Sequence, residues 1–287
     1  MTDVKQFFSA LLRSRAGLFG WVILTIFVFV AIAAPWLGLH DPLKGALNAR
    51  LKAPTWDGLF NPGPYPLGTD QLGRDILSRI IYGSRATLAI AGMAVILGGI
   101  IGVSLGIIAG YYRGIVDSLL MRFVDIQLAI PLMLMALLIV AAFGPSMTNL
   151  VIVLALTSWI RYARIVRGQV LAVREREFIL STQAIGASTM RIMFRHILPN
   201  ILTPALVVAT LELARIIVMD AALSFLGLGL PPPSPSWGRM LADGRTYMTT
   251  AWWVVTFPGL AIVLTVLSVN LVGDWLRDYF DPRQRNL

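Results

Sequence analysis

The chain alternates between long apolar segments and short polar segments in which arginine is the main charged residue. The first apolar segment, residues 16–39, holds 24 residues without a charge. At about 1.5 Å per residue, a helix of that length crosses a hydrocarbon core of about 30 Å. Five similar segments follow, at about residues 86–111, 118–143, 150–160 (which extends into arginine-bearing turns), 201–226 and 251–276. The pattern predicts an all-α integral membrane protein with six transmembrane helices.

The first apolar segment also has a second interpretation. Lys5, Arg13 and Arg15 precede an apolar run that ends in Ala31-Ile-Ala33, which is the arrangement of a cleavable signal peptide. Apolar residues continue past Ala33, however, and five more segments follow. These two observations favour an anchor that remains in the protein.

Composition agrees with a membrane protein and excludes several classes of function. Of the 287 residues, 57% are hydrophobic and 14% are charged, and the mean hydropathy is +0.75, which is far from soluble composition. The net charge of +9 comes from arginines beside the apolar segments, where the positive-inside rule places them, so we expect no nucleic-acid partner. The sequence has no cysteine, which excludes disulfides, thiolate metal sites and cysteine nucleophiles.

The distribution of positive charge predicts an orientation. With the N-terminus inside, the inner segments hold 15 arginines and lysines and the outer segments hold eight. We therefore expect both termini in the cytoplasm and a multi-pass chain in the membrane. The predicted regions are a cytoplasmic N-terminus with the first helix (1–40), an extracytoplasmic loop (41–85), a five-helix core (86–276) with a cytoplasmic loop at about 161–200, and a cytoplasmic tail (277–287).

The polar segment 174–199 predicts two short helices with a break between them. Phe178, Thr182 and Ile185 fall at helical spacing, and Gly186 can adopt the left-handed conformation that ends a helix. Ser188 is a suitable N-cap for the second helix, which Pro199 is expected to stop. A membrane chain with such a segment between spans is expected to present it to a partner. The alternative is an interfacial amphipathic loop without a partner.

Glycines and prolines inside the apolar segments predict how the helices pack and bend. Gly98, Gly102, Gly106 and Gly110 are each four residues apart, so they form a smooth strip for close helix packing. Pro131 and Pro258 are expected to kink their helices.

Charged residues within spans are costly unless they are paired or hydrated. Glu212 and Arg215 have the spacing of same-face neighbours, and Asp220 lies further along the same segment. Asp125 lies near the inner end of the third segment. These four residues are candidates for lining a translocation route. Ion pairs that only fix helix register are an equally good explanation.

The loop at 174–199 resembles the cytoplasmic coupling loop of ABC importer permeases, whose motif is Glu-Ala-Ala…Gly…Ile-x-Leu-Pro. Gly186, Ile197, Leu198 and Pro199 match this motif, whereas residues 180–182 are Leu-Ser-Thr instead of Glu-Ala-Ala. The segment Pro66-Leu-Gly-Thr-Asp-Gln-Leu-Gly-Arg-Asp-Ile-Leu-Ser-Arg79 is similar to an outer-face signature of the dipeptide/oligopeptide/nickel permease family. Further stretches that fit this family are 121–125, 162–169, 195–200, 223–229, 235–238, 257–261 and 270–283. The chain is therefore identified as a C-type subunit of that family.

The resemblance implies a type I ABC importer (methionine-permease-like) transmembrane domain without catalytic residues or metal ligands, in the inner membrane of a bacterium. It implies a second, related permease subunit, two ABC ATPase subunits that carry ATP and Mg²⁺, an extracytoplasmic substrate-binding protein and surrounding lipid. No cofactor is expected on this chain. The resemblance assigns ATPase coupling to Glu177, Thr182, Ala184, Gly186, Ala187, Arg195, His196, Leu198 and Pro199.

Two other classes of protein fit the sequence less well. A secondary transporter often shows inverted repeats, and no obvious repeat is present here. An intramembrane enzyme needs a nucleophile or a metal set, but the chain has only two histidines and no His-Glu-x-x-His motif. The substrate stays open among dipeptides, oligopeptides, glutathione, nickel and other small solutes. Nickel is disfavoured because a nickel route is expected to offer more imidazole or thiolate.

Overall fold

The computed structural model describes residues 2–37, 39–55 and 63–280. The predicted tail beyond residue 280 and part of the predicted loop 41–85 therefore lie outside the described residues. The helices are α1 (Thr2–Arg13), α2 (Arg15–Ala33), α3 (Ile76–Tyr112), α4 (Gly114–Ala129), α5 (Leu132–Phe143), α6 (Met147–Arg174), α7 (Glu177–Ala184), α8 (Thr189–Arg191), α9 (Leu198–Phe225), α10 (Trp237–Gly244) and α11 (Trp253–Phe280). The described residues form no named strand. This is the all-α architecture that the sequence predicts.

Five helices are long and apolar enough to cross a membrane, and a sixth span results if α4 and α5 are counted together. The axes of α4 and α5 differ by 85°. The bend lies at Ile130 and Pro131, because a residue before proline avoids the helical region and Ile130 is extended (φ −87°, ψ 118°). The expected kink at Pro131 is therefore confirmed as a sharp break. In contrast, α11 continues through Pro258.

Two helix starts differ from the apolar pattern. The helix α3 begins at Ile76, ten residues before the predicted span, because the Asp75 carboxylate accepts hydrogen bonds from the backbone N–H groups of Leu77 and Ser78 (3.3 and 3.1 Å). Hydropathy alone misses these turns, since they carry Arg79 and Arg85. The helix α6 begins after Ser146, whose hydroxyl accepts from the Asn149 N–H (3.1 Å).

The glycine strip of α3 packs against α6 in the most extensive helix contact of the described chain. A methyl group on Gly106 would lie 2.8 Å from the Ala163 carbonyl oxygen, and one on Gly110 would lie 2.7 Å from Cβ of Val170. Methyl groups on Gly98 and Gly102 would lie even closer to α6, against the Ser158 hydroxyl and the Trp159 carbonyl oxygen. All four glycines thus lie at the α3–α6 contact, where the sequence predicts close packing.

The remaining helices surround this pair. α9 and α11 pack on each other and on α3, and α2 packs on α11. The short helix α10 lies between α9 and α11, and its Trp237 is fully buried. The Trp237 indole donates to the Ile80 carbonyl (2.9 Å), which ties α10 to the start of α3. We call the end of the bundle that carries α10 the α10 end, and the opposite end the α7 end.

The segment between α6 and α9 confirms one sequence prediction and corrects another. Gly186 has φ +78°, so the left-handed turn after α7 is present. Pro199 does not stop the second short helix, because residues from Thr189 to Phe225 form one continuous 37-residue helix. Pro199 falls in the first turn of α9, after the wide π-type turn Ile192–Ile197. A wide turn changes which backbone groups are paired. Proline, which has no backbone N–H to donate, can therefore follow it without ending the helix.

We expect Gly106→Val to destabilise the bundle, because the added side chain meets the α6 backbone. Overpacking of this kind costs about 1–3 kcal/mol. Thermal unfolding of the detergent-purified protein should show a lower melting temperature. Gly92→Val is the matched control, since Gly92 lies on the same helix and a methyl group added there would have no atom within 4 Å. Equal melting temperatures for the two variants would contradict the packing role of the strip.

Candidate functional site

The segment between α6 and α9 has one buried side and one exposed apolar side. Ile179, Ile192, Met193 and Ile197 are buried in a cluster with Val170 and Val173 of α6. On the other side the exposed apolar residues are Phe178, Leu180, Ile185, Met190 and Phe194, of which Ile185 is 84% exposed. Exposed apolar patches of this kind mark sites of interaction. The segment is thus held firmly by the bundle while it offers an apolar surface away from it.

The turn itself is held by backbone hydrogen bonds. The Ala187 N–H donates to the Thr182 carbonyl (3.2 Å), and the Gly186 N–H donates to that of Gln183 (2.9 Å). The Thr182 hydroxyl donates to the Phe178 carbonyl (2.6 Å). No atom lies within 4 Å of a methyl position on Gly186, so its backbone conformation alone demands glycine.

The other residues assigned to coupling lie on both sides of this turn. Glu177 and Ala184 are the first and last residues of α7, and both are exposed. Arg195 and Pro199 are exposed, whereas His196 and Leu198 are half-buried. The His196 carbonyl accepts a hydrogen bond from the Asn200 side chain (2.7 Å). Ser188 occupies the N-cap position of α8, but its side chain makes no capping hydrogen bond.

Two polar contacts fix the start of the segment to α3 and α4. The Arg174 guanidinium donates to the Tyr111 carbonyl and lies 5.2 Å from the centre of the Tyr111 ring. Arg113, between α3 and α4, forms an ion pair with Glu175. A displacement of the segment is therefore transmitted to α3 as well as to α6 and α9.

A second group of functional candidates lies halfway along the bundle. The Glu212 carboxylate, 2% exposed, lies 3.4 Å from the Arg215 guanidinium and 3.3 Å from that of Arg161 on α6. Glu212 is near the middle of α9, about 20 Å from either end at about 1.5 Å per residue. The pairing of Glu212 with Arg215 agrees with their predicted spacing. Two guanidinium groups thus share one carboxylate, which leaves a net positive charge.

The two arginines line a pocket at the break between α4 and α5. This pocket has a volume of about 220 Å³, and its wall includes Pro131 and Gln127. The Gln127 amide accepts from the Trp159 indole (3.0 Å) and donates to the Leu156 carbonyl (2.5 Å). The bend at Pro131 therefore opens space beside the two arginines, with polar groups fixed on two helices.

Arg161 was not among the residues predicted to line the route, because residues from 161 onwards were expected to form a loop. In the structure α6 continues to Arg174, and three arginines spaced three residues apart bind acids on other helices. Besides Arg161, Arg164 pairs with Asp125 (2.5 Å) and Arg167 pairs with Asp117 (Nη2 to Oδ2, 2.6 Å). The spacing of these arginines, without a helix breaker among them, was the available signal.

The other two candidates for the translocation route lie apart from the Glu212 group. Asp125 is exposed, pairs with Arg164 and lies towards the α7 end of the bundle. Asp220 is 1% exposed, and neither of its carboxylate oxygens has a hydrogen-bond partner in the described part of the chain. The nearby Ser224 hydroxyl on α9 is also buried and unpaired there. Among the described residues, no three histidines, cysteines or acids form a group that could hold a metal ion.

The signature segment 66–79 builds a buried ionic cluster at the α10 end. The Asp70 carboxylate lies 2.7 Å from Nε of Arg74 and 3.3 Å from Nη1 of Arg79. The Trp253 indole donates to the Thr69 carbonyl (3.1 Å). These contacts fix the segment before α3 onto the start of α11.

Comparison with known proteins gives the same picture along nearly the whole chain. Residues 102–286 match the family described as binding-protein-dependent transport system inner membrane component, and residues 4–54 match the N-terminal TM domain of oligopeptide transport permease C. The chain is 42% identical to the di/tripeptide transport system permease protein DppC of Pseudomonas aeruginosa, over 99% of this chain and 94% of that protein. It is 44% identical to the dipeptide transport system permease protein DppC of Escherichia coli, with the same coverage.

The fold resembles a solved transporter. A chain of the MetNI methionine ABC transporter, from a structure of its inward-facing conformations, superposes with a TM-score of 0.59 at 19% identity, over 72% of this chain and 98% of that one. This confirms the predicted type I ABC importer fold. The predicted family is confirmed as well, and its members are membrane components of transport systems rather than enzymes. The chain belongs to the family of binding-protein-dependent transport system inner membrane components, as a multi-pass permease subunit of an ABC importer.

Proposed function

We propose that this chain forms half of a translocation route for short peptides. The other half is a second, related permease subunit, so the two permeases form a heterodimer. Two ABC ATPase subunits bind at the α7 end and carry the ATP and Mg²⁺, and a substrate-binding protein delivers peptide at the α10 end. The names of the relatives, which are di/tripeptide and dipeptide permeases, support peptides as the cargo.

The observation that carries this proposal is the Arg161–Glu212–Arg215 group. The Arg161 side chain is 52% exposed on this chain, and that of Arg215 is 29% exposed. Charged groups at the middle of a bilayer cost several kcal/mol in contact with lipid and generally face a protein interior or water. The exposed side of this group therefore faces a polar route rather than acyl chains.

The charge of the group fits a peptide. A guanidinium binds a carboxylate through two parallel hydrogen bonds, and every peptide with a free C-terminus carries a carboxylate. Glu212 compensates only one of the two arginines, so one positive charge is available to the cargo. A cation such as Ni²⁺ would be repelled by this net charge and finds no imidazole among the lining residues.

The α7–α8 segment supplies the connection to the ATPases. Its exposed apolar residues fit a groove on a partner, whereas its buried residues and Arg174 attach it to α3, α6 and α9. ATP-driven closure of the ATPases would move this segment as a rigid unit and tilt the helices attached to it. In this proposal the α7 end and both termini are cytoplasmic.

The proposed orientation is testable by cysteine labelling, because the chain has no cysteine of its own. We expect a membrane-impermeant maleimide to label Asn48→Cys in spheroplasts and to label Asn286→Cys only after permeabilisation. Asn48 lies in a short exposed turn before α3, and Asn286 lies outside the described residues. The reverse labelling pattern would overturn the orientation and the docking of ATPases at the α7 end.

The turn at Gly186 is testable by Gly186→Val. A β-branched residue is strained at φ +78°, so we expect the variant to insert normally but to lose the geometry of the turn. Peptide uptake and peptide-stimulated ATP hydrolysis by the reconstituted complex should fall together. Gly168→Val is the matched control, because Gly168 is a helical, exposed glycine without close neighbours at the same end of the bundle. Full retention of both activities in Gly186→Val would show that this turn does not transmit force.

The role of Arg215 is testable by Arg215→Met. This variant keeps the Arg161–Glu212 pair, so we expect a melting temperature close to that of the wild type. Uptake of a peptide with a free C-terminus should fall by about tenfold or more, the effect of losing a charge-assisted hydrogen bond of about 1.5–3 kcal/mol.

Glu212→Gln provides the contrast, since it leaves two guanidinium groups without a counter-charge. Its melting temperature should fall clearly, because breaking a buried ion pair costs about 3–5 kcal/mol. A stable Arg215→Met complex with wild-type uptake would assign the group to structure alone.

A further inference from the structure

A second pocket with excess positive charge lies at the α10 end of α9. It has a volume of about 360 Å³ and lies between the last turn of α9 and α10, with walls that include Phe225, Leu226, Arg239, Asp243 and Arg245. This volume is within the usual range for small-molecule sites. The pocket does not contain the Glu212 group and is separate from the buried Asp70 cluster, although Asp243 lies beside both the pocket and that cluster.

The charges of this pocket are unevenly compensated. Nε of Arg239 lies 2.9 Å from the Asp243 carboxylate. The Arg245 guanidinium lies 5.5 Å from the centre of the Phe225 ring, which is a cation–π contact. Arg245 has no ion pair with an acid in the described part of the chain, and its side chain is exposed. Arg245 is therefore a positioned cation without a counter-charge, on the wall of a pocket large enough for a small solute.

The pocket is in line with the Arg215 group along one face of α9. Leu226 lies eleven residues after Arg215, which is a rotation of only about 20° and a rise of about 16 Å along a helix. Val218 and Ala222 lie between them at helical spacing on the same face, and Val218 is half exposed. A partly exposed strip of α9 thus connects this pocket to the one beside Arg215.

We propose that this pocket is the entry site for peptide, in which Arg245 binds the C-terminal carboxylate before the peptide moves along α9 to Arg215. The proposal rests on the proposed function, since it assumes that the cargo is a peptide delivered at the α10 end. Phe225 holds the guanidinium at the pocket wall, and the pairing of Arg239 with Asp243 prevents that acid from neutralising Arg245. The substrate class is short peptides with a free carboxylate.

The electrostatic part of this proposal can be measured without transport. In the assembled complex, Leu226→Cys places a single thiol at the pocket wall, because Leu226 is 57% exposed and the chain has no other cysteine. We compare the rates at which anionic sulfonatoethyl and cationic trimethylammoniumethyl methanethiosulfonates modify this thiol. The ratio of the two rates should favour the anion and should fall about tenfold when Arg245→Gln is added.

Two matched variants control this measurement. Arg245→Lys keeps the charge and should keep most of the ratio. Arg50→Gln removes one positive charge from an exposed residue at the same end of the bundle, next to the segment that binds Asp70, and should leave the ratio unchanged. A ratio that does not respond to Arg245→Gln, or that responds equally to Arg50→Gln, would overturn the proposed anion site.

The substrate part requires the loaded binding protein. A dipeptide that it accepts should slow modification of Leu226→Cys during turnover, and Arg245→Gln should remove this protection and reduce uptake several-fold without changing the affinity of the binding protein. Absence of protection in a complex that transports the dipeptide would overturn the entry site while leaving the proposed function intact. Absence of dipeptide uptake by the unmodified complex would instead contradict the proposed function, whatever the ratio of modification rates.

Discussion

The close contact between α3 and α6 positions most of the polar features of this protein. Four glycines let the two backbones approach so closely that a methyl group on any one of them would collide with α6. In a membrane, where apolar side chains gain little by leaving lipid, such van der Waals contact is a main source of helix association. The contact sets the position of α6, and α6 carries the three arginines that bind acids on α4 and α9. It also brings Arg174 to the Tyr111 carbonyl at the end of α3.

Charge balance and exposure together distinguish the ionic groups of this bundle. Asp70 is buried between Arg74 and Arg79, and Arg167 binds Asp117 through two nitrogens, so these groups fix the arrangement of segments. Around Glu212 two arginines also share one carboxylate, but there both guanidinium groups remain partly exposed. Arg245 contacts an aromatic ring instead of an acid. Arg215 and Arg245 lie on the partly exposed face of α9 and at its end.

Much of this structure could be predicted from the sequence, because the cost of unpaired backbone in lipid demands long apolar helices. The glycine strip, the break at Pro131 and the turn at Gly186 follow from local stereochemistry and were predicted. The start of α3 was missed because Arg79 is buried with Asp70, and hydropathy counts such a residue as exposed charge. The second partner of Glu212, Arg161, was missed because it is about 50 residues away in the chain, and no local pattern reports a contact between α6 and α9.

The wrong expectation for Pro199 has a mechanical consequence. If proline had stopped the second short helix, the α7–α8 segment would be connected to α9 by a flexible break, and bending there could absorb its displacement. Instead the helix from Thr189 to Phe225 is continuous and spans about 55 Å at about 1.5 Å per residue. Met190 and Phe194, on the exposed surface, therefore share one helix with Arg215 and Phe225. A tilt imposed at the α7 end would move Arg215 and the α9 wall of the second pocket together, so under the proposed function ATPase closure would act on both at once.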